Sequence, residues 1–277
     1  MTTIAVTGAT GQLGRLAVAA LKAKGAAPVA LARSPEKAAD LGVETRAFDY
    51  TRPDPAALKG VDVLVLISSN DFTDRAGQHR AVIAAAKQAR VGRIVYTSIL
   101  KGAGSPMLLA QDHIATEAAL AESGVPHTVL RNGWYTENFT GALDAAVQHG
   151  AILGAAGEGK VSSASRKDYA EAIAVVATSA GHEGRVYELA GDTAHTGAEL
   201  AAAVSAAAGK PVAYVNMPQA DYARALEGFG LPAGFAAVLA DSDAQSAQGA
   251  LYDDSRTLSR LIGRPTTPMA ETVAAAL

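Results

Sequence analysis

The chain has 277 residues, 49% of them hydrophobic and 18% charged, which suits a large buried core and argues against extensive disorder. Its 24 basic and 27 acidic residues give a net charge of -3, so no excess of cations is available to bind a nucleic-acid backbone. Cysteine is absent, which excludes disulfides, a thiol nucleophile and thiolate-ligated zinc or iron–sulfur centres, and leaves redox chemistry to a cofactor.

The first residues lead into an apolar strand without a basic n-region, and no later apolar run reaches about 18 residues, so a cytoplasmic protein without membrane contact is expected. Ile4 to Thr7 reads as a buried strand, followed by a glycine loop and by Leu13, Leu16, Ala17, Ala20 and Leu21 at helical spacing. Further strands are predicted at Pro28 to Ala32, Glu44 to Phe48, Val61 to Ile67, Arg93 to Thr97 and His127 to Leu130, separated by helix-compatible stretches such as Arg75 to Ala89. This alternation predicts an α/β Rossmann-type doubly wound parallel sheet over residues 1–133. Residues 134–277 are expected to form a smaller C-terminal substrate lobe. Their pattern is looser, with glycine joints at Gly154 to Gly159 and the segments Asp168 to Ala180, Val186 to Leu189 and Thr196 to Ala208 interleaved, and the alanine runs Ala201 to Ala203 and Ala206 to Ala208 fall at helical spacing with Leu200 and Val204. Part of this half, about 168–190, is expected to return to the sheet.

Gly8-Ala9-Thr10-Gly11-Gln12-Leu13-Gly14 follows the first strand and opens the first helix, the setting in which a glycine pattern signals dinucleotide binding. One glycine turns the chain, one admits the pyrophosphate, and one lets helix pack on strand, with the helix N-terminus facing the phosphates. At the end of the second strand a NAD site usually carries an acid for the ribose hydroxyls, but here Arg33 stands in its place. A guanidinium there favours a 2'-phosphate, Lys37 one turn on can add a second charge, and NADP(H) is the expected cofactor. Asp49, after the third strand, is a candidate acceptor for the adenine amino group or a turn cap. Ser68, Ser69 and Thr97, at the tails of the fourth and fifth strands, are expected beside the nicotinamide half.

The Gly-x-x-Gly-x-x-Gly spacing resembles the extended and atypical short-chain dehydrogenases, whose carbonyl chemistry uses a Ser and a Tyr-x-x-x-Lys pair. None of the eight tyrosines here has lysine four residues later, and the corresponding helix offers His113-Ile114-Ala115-Thr116-Glu117. The runs Gly8 to Gly14, Leu66-Ile67-Ser68-Ser69, Tyr96-Thr97-Ser98, Leu130-Arg131-Asn132-Gly133-Trp134-Tyr135 and Leu261-Ile262-Gly263-Arg264-Pro265-Thr266 resemble, over essentially the whole chain, the NmrA-like branch and its bacterial quinone oxidoreductase type 2 members. The resemblance implies hydride transfer from NADPH to a quinone without flavin or metal. A reductase of triphenylmethane or azo dyes, and a non-catalytic NADP(H) sensor, are the alternatives on the same scaffold.

Hydride addition to a quinone leaves a phenolate, whose conjugate acid has a pKa of about 10 and needs no enzymic acid to form, unlike the alkoxide from an isolated ketone. Loss of the Tyr and Lys is consistent with such electron-poor acceptors. Ser98, Asn132, Trp134 and Tyr135 are the candidate substrate-binding residues, and His113, Tyr135 and Ser98 the candidate proton donors. His113 and Glu117, one helical turn apart, can hydrogen-bond each other. Arg131 is expected to be paired structurally. His79, His127, His149, His182 and His195 show no metal-ligand spacing.

Overall fold

A computed structural model describes residues 2–277. In chain order its elements are β1 (Ile4–Val6), α1 (Gln12–Ala23), β2 (Val29–Ala32), β3 (Thr45–Ala47), β4 (Val63–Leu66), α2 (Arg75–Gln88), β5 (Arg93–Ile99), α3 (Ala110–Ser123) and β6 (His127–Asn132). They continue as α4 (Glu137–Thr140), α5 (Leu143–His149), β7 (Ala151–Gly154), α6 (Arg166–Thr178), β8 (Val186–Leu189), α7 (Gly197–Ala208), β9 (Ala213–Asn216), α8 (Gln219–Gly228), α9 (Ala233–Ser246), α10 (Thr257–Ile262) and α11 (Met269–Ala274). Short 3₁₀ segments cover Pro35–Leu41, Pro55–Leu58 and Gly102–Gly104.

The chain separates into two compact units. One comprises the residues up to Gly102, Asp112–Asn132 and Arg166–Tyr187, and the other Ala103–Gln111, Gly133–Ser165 and Glu188–Leu277. The first is built on a seven-stranded sheet of order β3-β2-β1-β4-β5-β6-β8, a Rossmann-type arrangement. The pairs β1 with β2 and β4, β2 with β3, and β5 with β4 and β6 are all parallel. Strands covered on both faces read as unbroken apolar runs, which is why Ile4–Val6, Val29–Ala32 and Val63–Leu66 are buried throughout. Alternate residues serve opposite faces: Ala5, Leu31, Leu64, Leu66, Ile94, Tyr96 and Val129 join Val82, Ile83 and Ala86 of α2 and Leu120 of α3 in one core cluster. α1 and α6 pack together on the sheet's other face, against β1 and β4. The strand order reverses between β1 and β4, so their carboxyl ends, with that of β5, open the crevice where such sheets bind ligands.

β5 and β6 run two residues further than their sequence pattern suggests, because the ladder continues through Ser98 opposite Arg131 and Ile99 opposite Asn132. β3 is shorter than expected, leaving Asp49 in the turn beyond it.

The second unit has its own core of Leu143, Ala146, Leu200, Ala201, Val204, Val212 and Val273. It contains a two-stranded parallel sheet of β7 and β9 that the sequence does not announce. Thr196 and Glu199 form a capping box at the start of α7, each side chain bonding the other's backbone N–H. α8 and α9 pack as a helical hairpin. The loop after β7 is held by side-chain acceptors: Ala155 N–H donates to Asp243, Ala156 N–H to the Tyr214 hydroxyl (3.0 Å) and Gly157 N–H to Asn216 (2.8 Å). No helix among the described residues is long and apolar enough to cross a membrane.

Candidate active site

The glycine loop turns at Gly8, whose φ of +60° lies in the left-handed region that glycine adopts without strain. Gly11 is the N-cap of α1 in extended conformation, with its own N–H donating to Gly8 C=O (2.9 Å). No side chain caps this helix and its first turn holds no acid, so the N–H groups of Gln12, Leu13 and Gly14 are left for an acceptor from outside the helix. A Cβ on Gly14 would overlap the Gly8 carbonyl oxygen and stand 2.8 Å from Ala9 Cα, so this glycine brings α1 against β1. A Cβ on Gly11, an exposed position, would meet only the Gly8 carbonyl oxygen at 3.2 Å. Turning thus falls to Gly8 and helix packing to Gly14, while the position of Gly11 is open to solvent, Leu13 is buried and Thr10 C=O accepts from Arg15.

Beneath the loop lies a residue that the sequence reading passed over. The Tyr50 hydroxyl donates to Ile67 C=O (2.8 Å) and bonds Thr7 Oγ1 (2.6 Å), which also accepts from Ile67 N–H (3.0 Å). Tyr50 thus ties the carboxyl ends of β1 and β4 together, and burial raises its pKa well above that of an ordinary phenol. A lone tyrosine after the third strand carries no periodic signal that would single it out.

Arg33, at the end of β2, and Lys37, in the 3₁₀ segment, are both exposed, and neither side chain makes a hydrogen bond or ion pair among the described residues. Asp49 Oδ1 accepts from Thr51 N–H (2.9 Å) and Thr51 Oγ1 (2.8 Å), bonds that hold its carboxyl below the usual range and make it a turn cap.

At the tail of β4, Ser68 N–H donates to Thr97 Oγ1 (2.9 Å), fastening β4 to β5. Ser69 is committed internally: its N–H donates to His79 Nε2 (2.9 Å), its hydroxyl to Gln78 Oε1 (2.7 Å), and its carbonyl accepts from Arg75 Nε (2.7 Å). Because His79 Nε2 accepts, the neutral ring carries its proton on Nδ1, which donates to Thr116 Oγ1 (2.8 Å). Thr116 in turn donates to Asp112 C=O (2.7 Å).

His113 and Glu117 do not form the pair that their spacing permits. The buried Tyr96 hydroxyl bonds His113 Nδ1 at 2.8 Å. Burial, and then the nearby Arg75 guanidinium, push both His113 and His79 down to about 3, so both rings are neutral at pH 7. Glu117 turns to the strand ends: Oε1 accepts from Ser98 Oγ (2.6 Å) and Arg131 Nε (3.0 Å), and Oε2 from Arg131 Nη2 (2.6 Å). Arg131 crosses Gly102 so closely that a Cβ there would overlap the guanidinium, and Gly102 has a φ of +47°. Ser98 is a neighbour of this ion pair, with its proton directed to a carboxylate. Asn132 is buried at the end of β6.

Trp134 and Tyr135 belong to the second unit, where Ala164 N–H donates to Trp134 C=O (3.1 Å) and Tyr135 bridges to Ala164. Both side chains are partly exposed. Nearby in that unit His195 Nε2 bonds Ser163 Oγ (2.8 Å), which accepts from Thr136 Oγ1 (3.0 Å); all three residues are buried. Among the described residues no group of three His, Asp or Glu side chains is arranged to hold a metal ion.

A family model described as NAD(P)H-binding matches residues 8–180. The chain is 52% identical to quinone oxidoreductase 2 of Escherichia coli, over 98% of this chain and 97% of that protein. It is 33% identical to the NAD(P)H azoreductase of Xenophilus azovorans, over 97% and 96% of the two. Its fold matches the crystal structure of the Escherichia coli NADPH-dependent quinone oxidoreductase complexed with NADPH, with a TM-score of 0.94, 51% identity, and coverage of 98% and 99%. It also matches the Citrobacter sp. triphenylmethane reductase complexed with NADP(H), with a TM-score of 0.92, 37% identity, and coverage of 99% and 100%. Glycine loop, sheet order and full-length likeness agree: the chain belongs to the NAD(P)H-binding family, with quinone oxidoreductase 2 as a relative over nearly the full length.

Proposed function

We propose that this chain is an NADPH-dependent quinone reductase in which no protein side chain supplies a proton to the acceptor. The observation that carries the proposal is the state of the helix position where short-chain dehydrogenases keep Tyr and Lys. His113 there is buried, neutral and bonded to Tyr96, and Glu117 is held by Ser98 and Arg131. A group titrating near 3 is deprotonated throughout the neutral range, and a serine hydroxyl donating to a carboxylate has no proton left to give. An isolated ketone would be poorly served by such a site. A quinone leaves as a phenolate that solvent can protonate.

NADPH, when bound, supplies the hydride. In the proposal its pyrophosphate is held by the N–H groups of Gln12, Leu13 and Gly14, with Gly8, Thr10 and Gly11 shaping the turn. Arg33 and Lys37 take the 2'-phosphate by charge-assisted hydrogen bonds, and Asp49 lies toward the adenine. Ser68 and Thr97 face the nicotinamide ribose, and Ser69 fixes the turn from within. Ser98 is left as an acceptor toward the carboxamide or a reduced acceptor's hydroxyl, because its own proton points to Glu117. Asn132, buried at the end of β6, hydrogen-bonds the acceptor. The 52% identity to quinone oxidoreductase 2 supports this reading. Cytoplasmic residence belongs to it as well, in keeping with a cysteine-free composition.

Reduction of azo or triphenylmethane dyes is a second reading, supported by the azoreductase and the triphenylmethane reductase among the relatives. A cationic dye carbon is neutralised by hydride and needs no proton. The test is NADPH consumption by the purified protein with a panel of quinones, azo dyes and triphenylmethane dyes. Turnover fastest with quinones is expected; turnover restricted to dyes would select the second reading, and none with any acceptor would point to a sensor.

A further inference from the structure

We infer that Arg15 is a positioning residue for 2'-phosphate recognition, fastening the segment Pro35–Leu41, which carries Lys37, to the glycine loop. The inference rests on the NADPH reading above and concerns a residue that does not itself meet the cofactor. A cation in the first turn of a helix opposes the macrodipole, so Arg15, the residue after Gly14, stands where sequence economy would place an acid or a neutral side chain. Its contacts give the reason. Nε donates to Thr10 C=O inside the glycine loop (3.2 Å), Nη2 to Lys37 C=O (2.7 Å), and Nη1 pairs with Asp40 (2.5 Å). One guanidinium therefore joins the pyrophosphate loop to the backbone of the very residue whose ammonium we assign to the 2'-phosphate.

The segment requires such support. Its 3₁₀ helix runs for seven residues, well past the usual length of 3 to 4, with the weaker hydrogen bonds of that helix type. Its far end is gripped by the same α1, through Lys22 Nζ donating to Leu41 C=O (2.8 Å). α1 thus holds the segment near both ends, and the exposed side chains of Arg33 and Lys37 are presented from a fixed backbone. Ordering that backbone before binding lowers the entropic cost of binding the phosphate, a saving that NADH, without the phosphate, does not draw on.

The test compares wild type, Arg15→Ala and Asp40→Asn by fluorescence titration with NADPH and with NADH, and by hydrogen exchange of residues 35–41 without cofactor. Arg15→Ala is expected to weaken NADPH binding by about 5- to 20-fold, to change NADH binding by less than about twofold, and to speed exchange in the segment. Asp40→Asn is expected to stay near wild type, since both backbone contacts of Arg15 remain. Equal losses for the two cofactors, or unchanged exchange, would overturn the inference. So would tighter NADPH binding by Asp40→Asn, which would make Arg15 a direct phosphate ligand whose charge Asp40 masks. If wild type itself does not prefer NADPH, the NADPH reading fails and the inference with it; a wild-type preference that Arg15→Ala leaves undiminished overturns the inference alone.

Discussion

The buried histidines His79 and His113 make folding stability depend on pH in a calculable way. Each is pushed down to about 3 in the folded chain, against about 6.5 when unfolded, so between these values the unfolded chain binds more protons. Stability is therefore fully present above pH 6.5 and is lost as the pH falls toward 3. Each histidine contributes a slope of about 1.4 kcal/mol per pH unit, so the pair removes on the order of 4 kcal/mol between pH 6.5 and 5, a large share of a typical total of roughly 5–15 kcal/mol. His182 and His195, also lowered by burial, act in the same direction, and the single variant His113→Gln isolates one member of the pair. Urea unfolding at pH 5, 6, 7 and 8 reads the slope. Wild type should lose stability steeply below pH 6.5, and His113→Gln should lose about 1.4 kcal/mol per unit less steeply. A wild-type stability that is flat from pH 7 to 5, or an unchanged slope in His113→Gln, would show that the ring is not held neutral and would return it to the list of acids.

Arg33→Ala removes charged hydrogen bonds worth about 1.5–3 kcal/mol and should weaken NADPH binding by roughly 10- to 150-fold with NADH nearly unchanged, as titration with both cofactors would read; equal losses would deny Arg33 the phosphate. Gly14→Ala forces a methyl into the Gly8 backbone and should destabilise the fold by about 2–4 kcal/mol in urea unfolding, whereas Gly11→Val should retain a normal circular dichroism spectrum and lose cofactor binding. Retained NADPH affinity in Gly11→Val would sink the assignment of the loop. Arg131→Met leaves the mostly buried Glu117 carboxylate with Ser98 as its remaining donor from this triad and should cost about 2–4 kcal/mol of stability; a change within about 0.5 kcal/mol would mean that the pair is incidental.

The parallel sheet was legible because strands buried on both faces leave unbroken apolar runs, and the glycine loop because its turn, helix start and helix packing each demand glycine at a set place. The NADP(H) expectation rests on a cation standing where an acid is usual, and the titration of Arg33→Ala reads whether that cation meets the phosphate. Contacts between residues far apart in sequence were not. Glu117 was read with its helical neighbour His113, yet the parallel β5–β6 ladder sets Ser98 and Arg131 side by side, and a bidentate guanidinium outcompetes a neutral imidazole for a carboxylate. Tyr50 and Tyr96 gave no sign, since a tyrosine at a strand end looks the same whether it packs or ties a hydrogen-bond network. β7 and β9 escaped because they are short, with largely uncovered residues and no alternating pattern.

The central claim, hydride transfer to a quinone without an enzymic acid, is tested most directly by single-turnover oxidation of bound NADPH by a quinone from pH 6 to 9, with 4-deuterated cofactor alongside. The account predicts a primary isotope effect and a rate that changes by less than about threefold over the range, in wild type and equally in His113→Gln, Tyr135→Phe and Ser98→Ala. A wild-type rate that titrates within the range, together with a loss of more than about 100-fold and the disappearance of that titration in one of the three variants with NADPH affinity intact, would identify an acid catalyst and contradict it.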